Sequence, residues 1–327
     1  MGKTVKVVAL LVSSLLLGMG LAACSSKRPA ASQLAVVTII VSPSSIATDA
    51  YTVPAPSVTF TPTPTLPPTA TSTPVPFTPS PLPPVLTPTA LTCSSQSGRI
   101  ETGYLTPAYL PRWLLFRIYL PPCYDEQPER RYPVLYLFHG QSYTEDQWVR
   151  LGVPETADAL IASGEISPFL IVMPGDRVWT QPSEDKFGRA VVEELYPWVE
   201  DHYRTLPDRE YHAIGGLSRG AAWAVHLGFS QWELFGAIGA HSLPVFWEDV
   251  PNIKRWIDQI PTENRPRLYL DIGDHDRPEV LKSAIWFEQI LTEKGIPHEW
   301  HLFSGEHNEV YWQSHVEQYL RWYAAVW

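Results

Sequence analysis

From about residue 99 onward the chain alternates short, nearly unbroken apolar runs with longer stretches of helical spacing. "SGRIETGYL" and "WLLFRIYLPP" are strand-like, and the turn near "TPAYLPR" predicts that they pair as an antiparallel hairpin. "RYPVLYLFHG", "PFLIVMP", "YHAIGGLS", "LFGAIGAHS", "PRLYLDIG" and "HEWHLFSG" follow as further predicted strands. Between them, "PETADALIASGE", "GRAVVEELYPWVEDHY", "RGAAWAVHLGF", "WEDVPNIKRWIDQI" and "PEVLKSAIWFEQILTEKG" carry helical spacing, and "NEVYWQSHVEQYLRWYAAVW" closes the chain as a helix. Pro197 is expected to kink the second of these helices. Apolar runs without polar alternation belong to strands buried on both faces. The pattern therefore predicts an α/β fold: a mostly parallel central sheet covered by helices on both faces, with an N-terminal antiparallel hairpin.

The first ninety residues have a different pattern. Lys3 and Lys6 precede an apolar or small run from Val7 to Ala23, the layout of an export signal. It ends in Leu21-Ala22-Ala23-Cys24, which resembles the bacterial lipobox, in which the cysteine is lipidated; an ordinary signal peptide or an uncleaved anchor are the alternatives. From Ser42 to about Ala90 the sequence is rich in proline and threonine and free of charge after Asp49. Proline fixes φ and removes amide donors, so an extended spacer is expected there, either glycosylated or plain. Three segments result: a lipoprotein signal peptide at 1–23, an anchor and stalk at 24–92, and a catalytic domain at 93–327. The expected location is extracytoplasmic, with the membrane as a partner only through the lipid anchor.

With Cys24 assigned to the anchor, Cys93 and Cys123 remain. The predicted hairpin would place both at its open end, and outside the cytoplasm that predicts a disulfide. Two cysteines are too few for a four-ligand structural zinc site, and no metal or cofactor is implied. A net charge of −10 with no basic run argues against nucleic acid as a partner.

The candidate chemistry centres on Gly216-Leu217-Ser218-Arg219-Gly220, a strand-to-helix turn with glycines two residues either side of a serine. A serine on such a turn has a strained backbone, and the flanking glycines relieve crowding between strand and helix. Taken alone the pentapeptide is as consistent with a tight turn as with a nucleophile. A serine hydroxyl needs a histidine base oriented by a carboxylate. Downstream, "LDIGDHDRPEV" offers Asp271, Asp274 and Asp276 at a strand end, where ligands bind in open α/β sheets. Asp276 is the favoured acid and Asp274 its competitor, while Asp271 belongs to the strand. Asp276 could also cap the helix that opens near Pro278, and the two roles are not exclusive. His307, in the loop after the last strand, is the favoured base; His298 and His301 fall with the strand. The amides of Gln141 and Arg219 are the expected oxyanion donors, with Gly140 shaping the turn and His139 in a structural hydrogen bond.

Together, "YPVLYLFHG…W", "AIGGLSRGA", "LFGAIGAHS", "LDIGDHD" and "FSGEHNEVYW" resemble an esterase family of α/β hydrolases that includes esterase D-like enzymes, feruloyl esterases, enterochelin esterases and mycolyltransferases. The resemblance runs from about Gly98 to the C-terminus. It implies the α/β-hydrolase fold, with Ser218 as nucleophile, Asp276 as acid and His307 as base, and it puts Trp312 at the family's aromatic position, where it is a candidate for the substrate pocket. Two departures stand out: Ala221 replaces a frequent glycine, and Arg219 stands where methionine is common. The Arg219 guanidinium is expected either to favour anionic groups near the nucleophile or to pair with a carboxylate such as Glu306, and the pair is preferred. Trp148, Trp179, Phe246 and Trp247 are candidates for an aromatic wall, and loops 174–188 and 241–262 are expected to define the pocket. The expected function is hydrolysis of small-molecule or polymer-linked carboxylic esters through an acyl-enzyme, with an acyltransferase or a non-catalytic surface binding protein as alternatives.

Overall fold

A computed structural model describes residues 93–327; the expected signal peptide, Cys24 and the stalk lie outside the described residues. Eight strands form one sheet in the order β1-β2-β4-β3-β5-β6-β7-β8. The hairpin β1 (Arg99–Leu105) and β2 (Leu114–Leu120) is antiparallel, with Arg99 opposite Leu120. β2 also runs antiparallel to β4 (Leu170–Pro174), and all remaining pairs are parallel. These are β3 (Val134–Phe138), β5 (His212–Leu217), β6 (Ala237–His241), β7 (Arg267–Gly273) and β8 (Glu299–Phe303).

Every residue of β3, β4, β5 and β6 is buried, as continuous apolar runs require. Period-two alternation divides them between two cores. Val134, Tyr136 and Phe138 of β3 face a core completed by α3 (Phe187–Ala190), α4 (Tyr196–His202), α5 (Arg219–Ser230), α6 (Ile253–Gln259) and α7 (Pro278–Glu293). Leu135 and Leu137 face a second core completed by α1 (Gln147–Arg150), α2 (Val153–Ala162) and α8 (Glu309–Ala324). The helix expected to kink is irregular: α3 runs through a π turn at Val191–Leu195 into α4, whose first turn holds Pro197. No helix among the described residues is long and apolar enough to cross a membrane.

β3 is the point where the strand order reverses, since β4 lies on one side of it and β5 on the other. The C-terminal ends of β3 and β5 are therefore where loops diverge and leave a crevice. This topology is that of the α/β-hydrolase fold.

At the open end of the hairpin the Cys93 and Cys123 sulfurs are paired, with Cα atoms 5.6 Å apart. The sequence separation is 30 residues, so restricting the unfolded chain should contribute about 3 to 4 kcal/mol. Urea unfolding of residues 93–327 is expected to shift by that amount in Cys93→Ser, and a non-reducing peptide map should recover the 93–123 cross-link. Two free thiols in that map would contradict the pairing.

Candidate active site

The turn after β5 is built by close backbone approach. Ser218 has φ 52° and ψ −122°, a conformation that side chains avoid. Its N–H still extends the sheet, bonding His241 O at 2.8 Å, while its C=O already takes the first α5 bond from Ala222 N–H at 3.1 Å. A Cβ on Gly216 would lie 2.5 Å from the Gly220 carbonyl carbon, and one on Gly220 would collide with the Phe138 backbone. Only glycine fits either position. Ala221 is fully buried and accommodated, so the departure from glycine there leaves the turn intact.

Two other loops reach the same spot. β7 and β8 are in register to Gly273 opposite Phe303, and beyond that pair the loops remain knitted. Asp274 N–H bonds Phe303 O at 2.7 Å, His275 N–H bonds Gly305 O at 2.9 Å, and Asp274 Oδ1 accepts Gly305 N–H at 3.0 Å. Asp274 thus joins the loops. Asp276 is left to face His307, whose Nδ1 lies 2.7 Å from Asp276 Oδ1. His307 Nε2 lies 2.9 Å from Ser218 Oγ. Asp276 Oδ1 also accepts the Arg277 N–H at 2.7 Å, while its buried Oδ2 has no hydrogen-bond partner among the described residues. Asp276 is not the cap of α7; Arg277 holds that position without a side-chain cap.

The ring of Trp312 stands edge-on to His307, with centroids 5.0 Å apart, and its Nε1 donates to Ser242 Oγ at 3.1 Å. The imidazole is thereby held between Asp276, Ser218 and an indole edge. Its Nε2 can accept the Ser218 proton while Asp276 steadies the charge that results.

An open cleft of ≈ 710 Å³ lies over Ser218 and His307, bordered by Gly140, Gln141, Tyr143, Pro244, Val280 and Trp312 among others. Neither the Gln141 nor the Arg219 N–H donates to an acceptor among the described residues. The latter opens helix α5, where the first amides are without intrahelical partners.

Several expectations are corrected. Trp148 is core: it is 1% exposed, its Nε1 donates to Phe138 O at 2.9 Å, and it packs against His241 and Tyr319. Trp179 and Trp247 are 51% and 70% exposed and do not border the cleft. Phe246 is buried against Trp223. Of the loops expected to form the pocket, 174–188 contributes nothing to its wall and 241–262 contributes Pro244; residues 140–143 and 277–280 do that work. Arg219 pairs with carboxylates as preferred, but not with Glu306. Its Nε donates to Asp176 Oδ2 at 2.6 Å, and its Nη2 to Asp185 Oδ2 at 2.6 Å and Val178 O at 2.9 Å. One guanidinium cannot neutralise two buried carboxylates, and burial, with the Asp176 charge, pushes the Asp185 carboxyl up to about 7. With Arg219 so occupied, its side chain is not available to a substrate anion.

Sequence reasoning missed a buried network beneath the site. Asp271 Oδ1 lies 2.6 Å from His241 Nδ1, and its Oδ2 accepts the hydroxyls of Tyr311 at 2.6 Å and Tyr319 at 2.8 Å. Burial beside the Asp271 charge pushes both tyrosine hydroxyls up, so they remain donors. The signal was present in α8, where Tyr311, His315, Tyr319 and Tyr323 recur at steps of four and so share one face.

The fold and the elbow define an α/β-hydrolase-fold protein, and comparison with known proteins narrows that class. The chain belongs to the family described as "Putative esterase", whose model matches residues 108–323. It is 28% identical over 208 residues to an endo-1,4-beta-xylanase/feruloyl esterase of Xylanibacter ruminicola, covering 56% of this chain and 26% of that protein. With an esterase of Mycobacterium tuberculosis it shares 26% identity over 230 residues, 54% of this chain and 49% of that one. The chain thus matches about a quarter of the first relative's length and about half of the second's. A solved ferulic acid esterase superposes with a TM-score of 0.63 at 25% identity, over 71% of this chain and 99% of the other. An S-formylglutathione hydrolase of Staphylococcus aureus, at 16% identity and a TM-score of 0.55 over 70% of this chain and 98% of that one, shares the fold.

Asp271→Asn would remove a charge on which three buried side chains converge. Breaking such a network is expected to cost about 3 kcal/mol or more in chemical denaturation. A change below about 0.5 kcal/mol would show that the network is not holding α8 to the sheet.

Proposed function

We propose that the domain is an extracytoplasmic serine hydrolase of carboxylic esters, with Ser218, His307 and Asp276 as its catalytic triad. The observation that carries this reading is the continuous contact Ser218 Oγ–His307 Nε2–Nδ1–Asp276 at 2.9 and 2.7 Å, on a serine held at positive φ. Membership of the esterase family supports it.

Ser218 Oγ attacks the ester carbonyl carbon as His307 Nε2 takes its proton, and Asp276 stabilises the imidazolium. The negative charge that develops on the carbonyl oxygen is held by the Gln141 and Arg219 N–H groups, which are free to donate. Collapse of the tetrahedral intermediate breaks the bond to the alcohol oxygen, which leaves with the proton from His307. A water molecule then attacks the acyl-enzyme as His307 removes its proton; the acid is released and Ser218 Oγ is reprotonated.

Tyr143, Leu217, Pro244, Val280 and Trp312 give a cleft of mixed polarity an apolar part that suits an acyl or aryl group, beside polar Gln141, Ser142, Arg277 and Glu279. Feruloyl-type aryl esters, free or polymer-linked, are therefore the first substrates of choice, in keeping with the relatives named for that activity. Lipid attachment at Cys24, with the Pro/Thr-rich segment as a spacer, completes the proposal; the paired cysteines suit an oxidising compartment.

Ser218→Ala is expected to lower kcat on short aryl esters by roughly 10⁴-fold or more and to abolish fluorophosphonate labelling. Full activity in that variant would overturn the assignment. A fatty-acid probe should label the whole chain in cells but not Cys24→Ala, which should leave the membrane fraction. Equal labelling of both would contradict lipid attachment at Cys24.

A further inference from the structure

The two proposed oxyanion donors start from different strands, Gln141 after β3 and Arg219 after β5. No single turn fixes their relation. A chain of buried hydrogen bonds does connect them, and it begins on residue 219 itself. Arg219 Nε donates to Asp176 Oδ2 at 2.6 Å. The Asp176 backbone N–H donates to His139 Nε2 at 2.8 Å, which leaves the His139 proton on Nδ1. His139 Nδ1 lies 2.7 Å from Gly140 O. That oxygen belongs to the peptide group whose N–H is that of Gln141. In a planar trans peptide the C=O and N–H point in opposite directions, so holding the oxygen aims the hydrogen.

Each member of the chain is buried: His139 and Asp176 are 3% exposed and Arg219 is 7% exposed. Burial pushes the His139 imidazole below its ordinary value, which keeps Nε2 an acceptor. Asp176 is gripped a second time by Trp223 Nε1 at 3.0 Å, and Asp185 and Val178 O hold the far side of the guanidinium. The arginine therefore has a fixed geometry with no freedom to swing toward the cleft.

We propose that Arg219 is a positioning residue for the oxyanion hole: through Asp176 and His139 its guanidinium orients the 140–141 peptide, so that the Gln141 N–H meets the developing oxyanion together with Arg219's own N–H. This rests on the hydrolase reading above. Side chain and backbone of one residue then serve opposite walls of the same hole.

Arg219→Met tests this cleanly, because it keeps both backbone amides and removes only the side-chain link. Active sites are counted by fluorophosphonate labelling, and folding by thermal denaturation. Per labelled site, kcat on a short aryl ester should fall by roughly 10²-fold, the scale of losing one oxyanion donor, with KM within about threefold. Inhibition by phenylboronic acid, whose serine adduct is tetrahedral and anionic, should weaken by a similar factor, as expected for a transition-state contact. Arg219→Lys, able to reach Asp176 alone, should recover part of the loss. Wild-type kcat and boronate affinity in Arg219→Met would overturn the proposal, as would a loss confined to the fraction of labelled protein, which marks packing alone. If Arg219→Met does not fold, Asp176→Asn carries the same comparison, since it retains the backbone N–H to His139 and loses only the ionic hold. Absence of both labelling and hydrolysis in the wild type would overturn the hydrolase reading itself, and this proposal with it.

Discussion

The site depends on the backbone at Ser218. A non-glycine residue at φ 52° and ψ −122° is held about 1 to 3 kcal/mol above a relaxed conformation, so its surroundings must over-determine it. They do so from both sides: the last sheet bond, to His241, and the first helix bond, from Ala222, both end on the same residue. The strand and helix can meet so closely only because residues 216 and 220 lack side chains and the Phe138 backbone fills the gap between them. Sheet and helix thus fix the direction of Oγ before any substrate is present.

The partners of Ser218 are placed by the same economy of backbone contacts. β7 and β8 carry their pairing past the strand ends through Asp274, so Asp276 and His307, 31 residues apart, meet as neighbours. Behind them, Asp271 ties α8 to β6 and β7 through His241, Tyr311 and Tyr319, and α8 carries Trp312 against the His307 ring. Three layers stand behind one imidazole: a paired carboxylate, an indole edge and a buried charge shared by three donors. The indole and the Asp271 carboxylate have their polar atoms partnered, which makes a polar interior rigid rather than costly, whereas Asp276 keeps one buried oxygen without a partner among the described residues.

Much of this was legible in the chain. Continuous apolar runs gave most of the parallel strands, and the hairpin followed from two strand-like segments bracketing a proline-containing turn. The order serine, aspartate, histidine at the ends of β5, β7 and β8 pointed to Ser218, Asp276 and His307, which the structure brings within hydrogen-bonding distance. The choice of Asp276 over Asp274 rested on loop position alone. Its physical basis is the capture of Asp274 by the Gly305 amide. The aromatic wall was legible only in part. Trp312 borders the cleft as expected, whereas Trp148 is drawn beneath it against His241 and Tyr319, residues distant in sequence. Arg219 shows the same limit: its carboxylate partners lie 43 and 34 residues away, on a loop expected to shape the pocket that instead clamps the arginine.

The most direct test of the central claim is to catch the covalent intermediate. Rapid acid quench of the domain during turnover of a feruloyl or short aryl ester, followed by intact-mass and peptide mass spectrometry, should show one added acyl group on the peptide containing Ser218. The adduct should persist longer in a His307→Ala variant acylated chemically at that serine, because water then lacks its base. Hydrolysis that proceeds with no acyl adduct, or with the adduct on any other residue, would contradict the account.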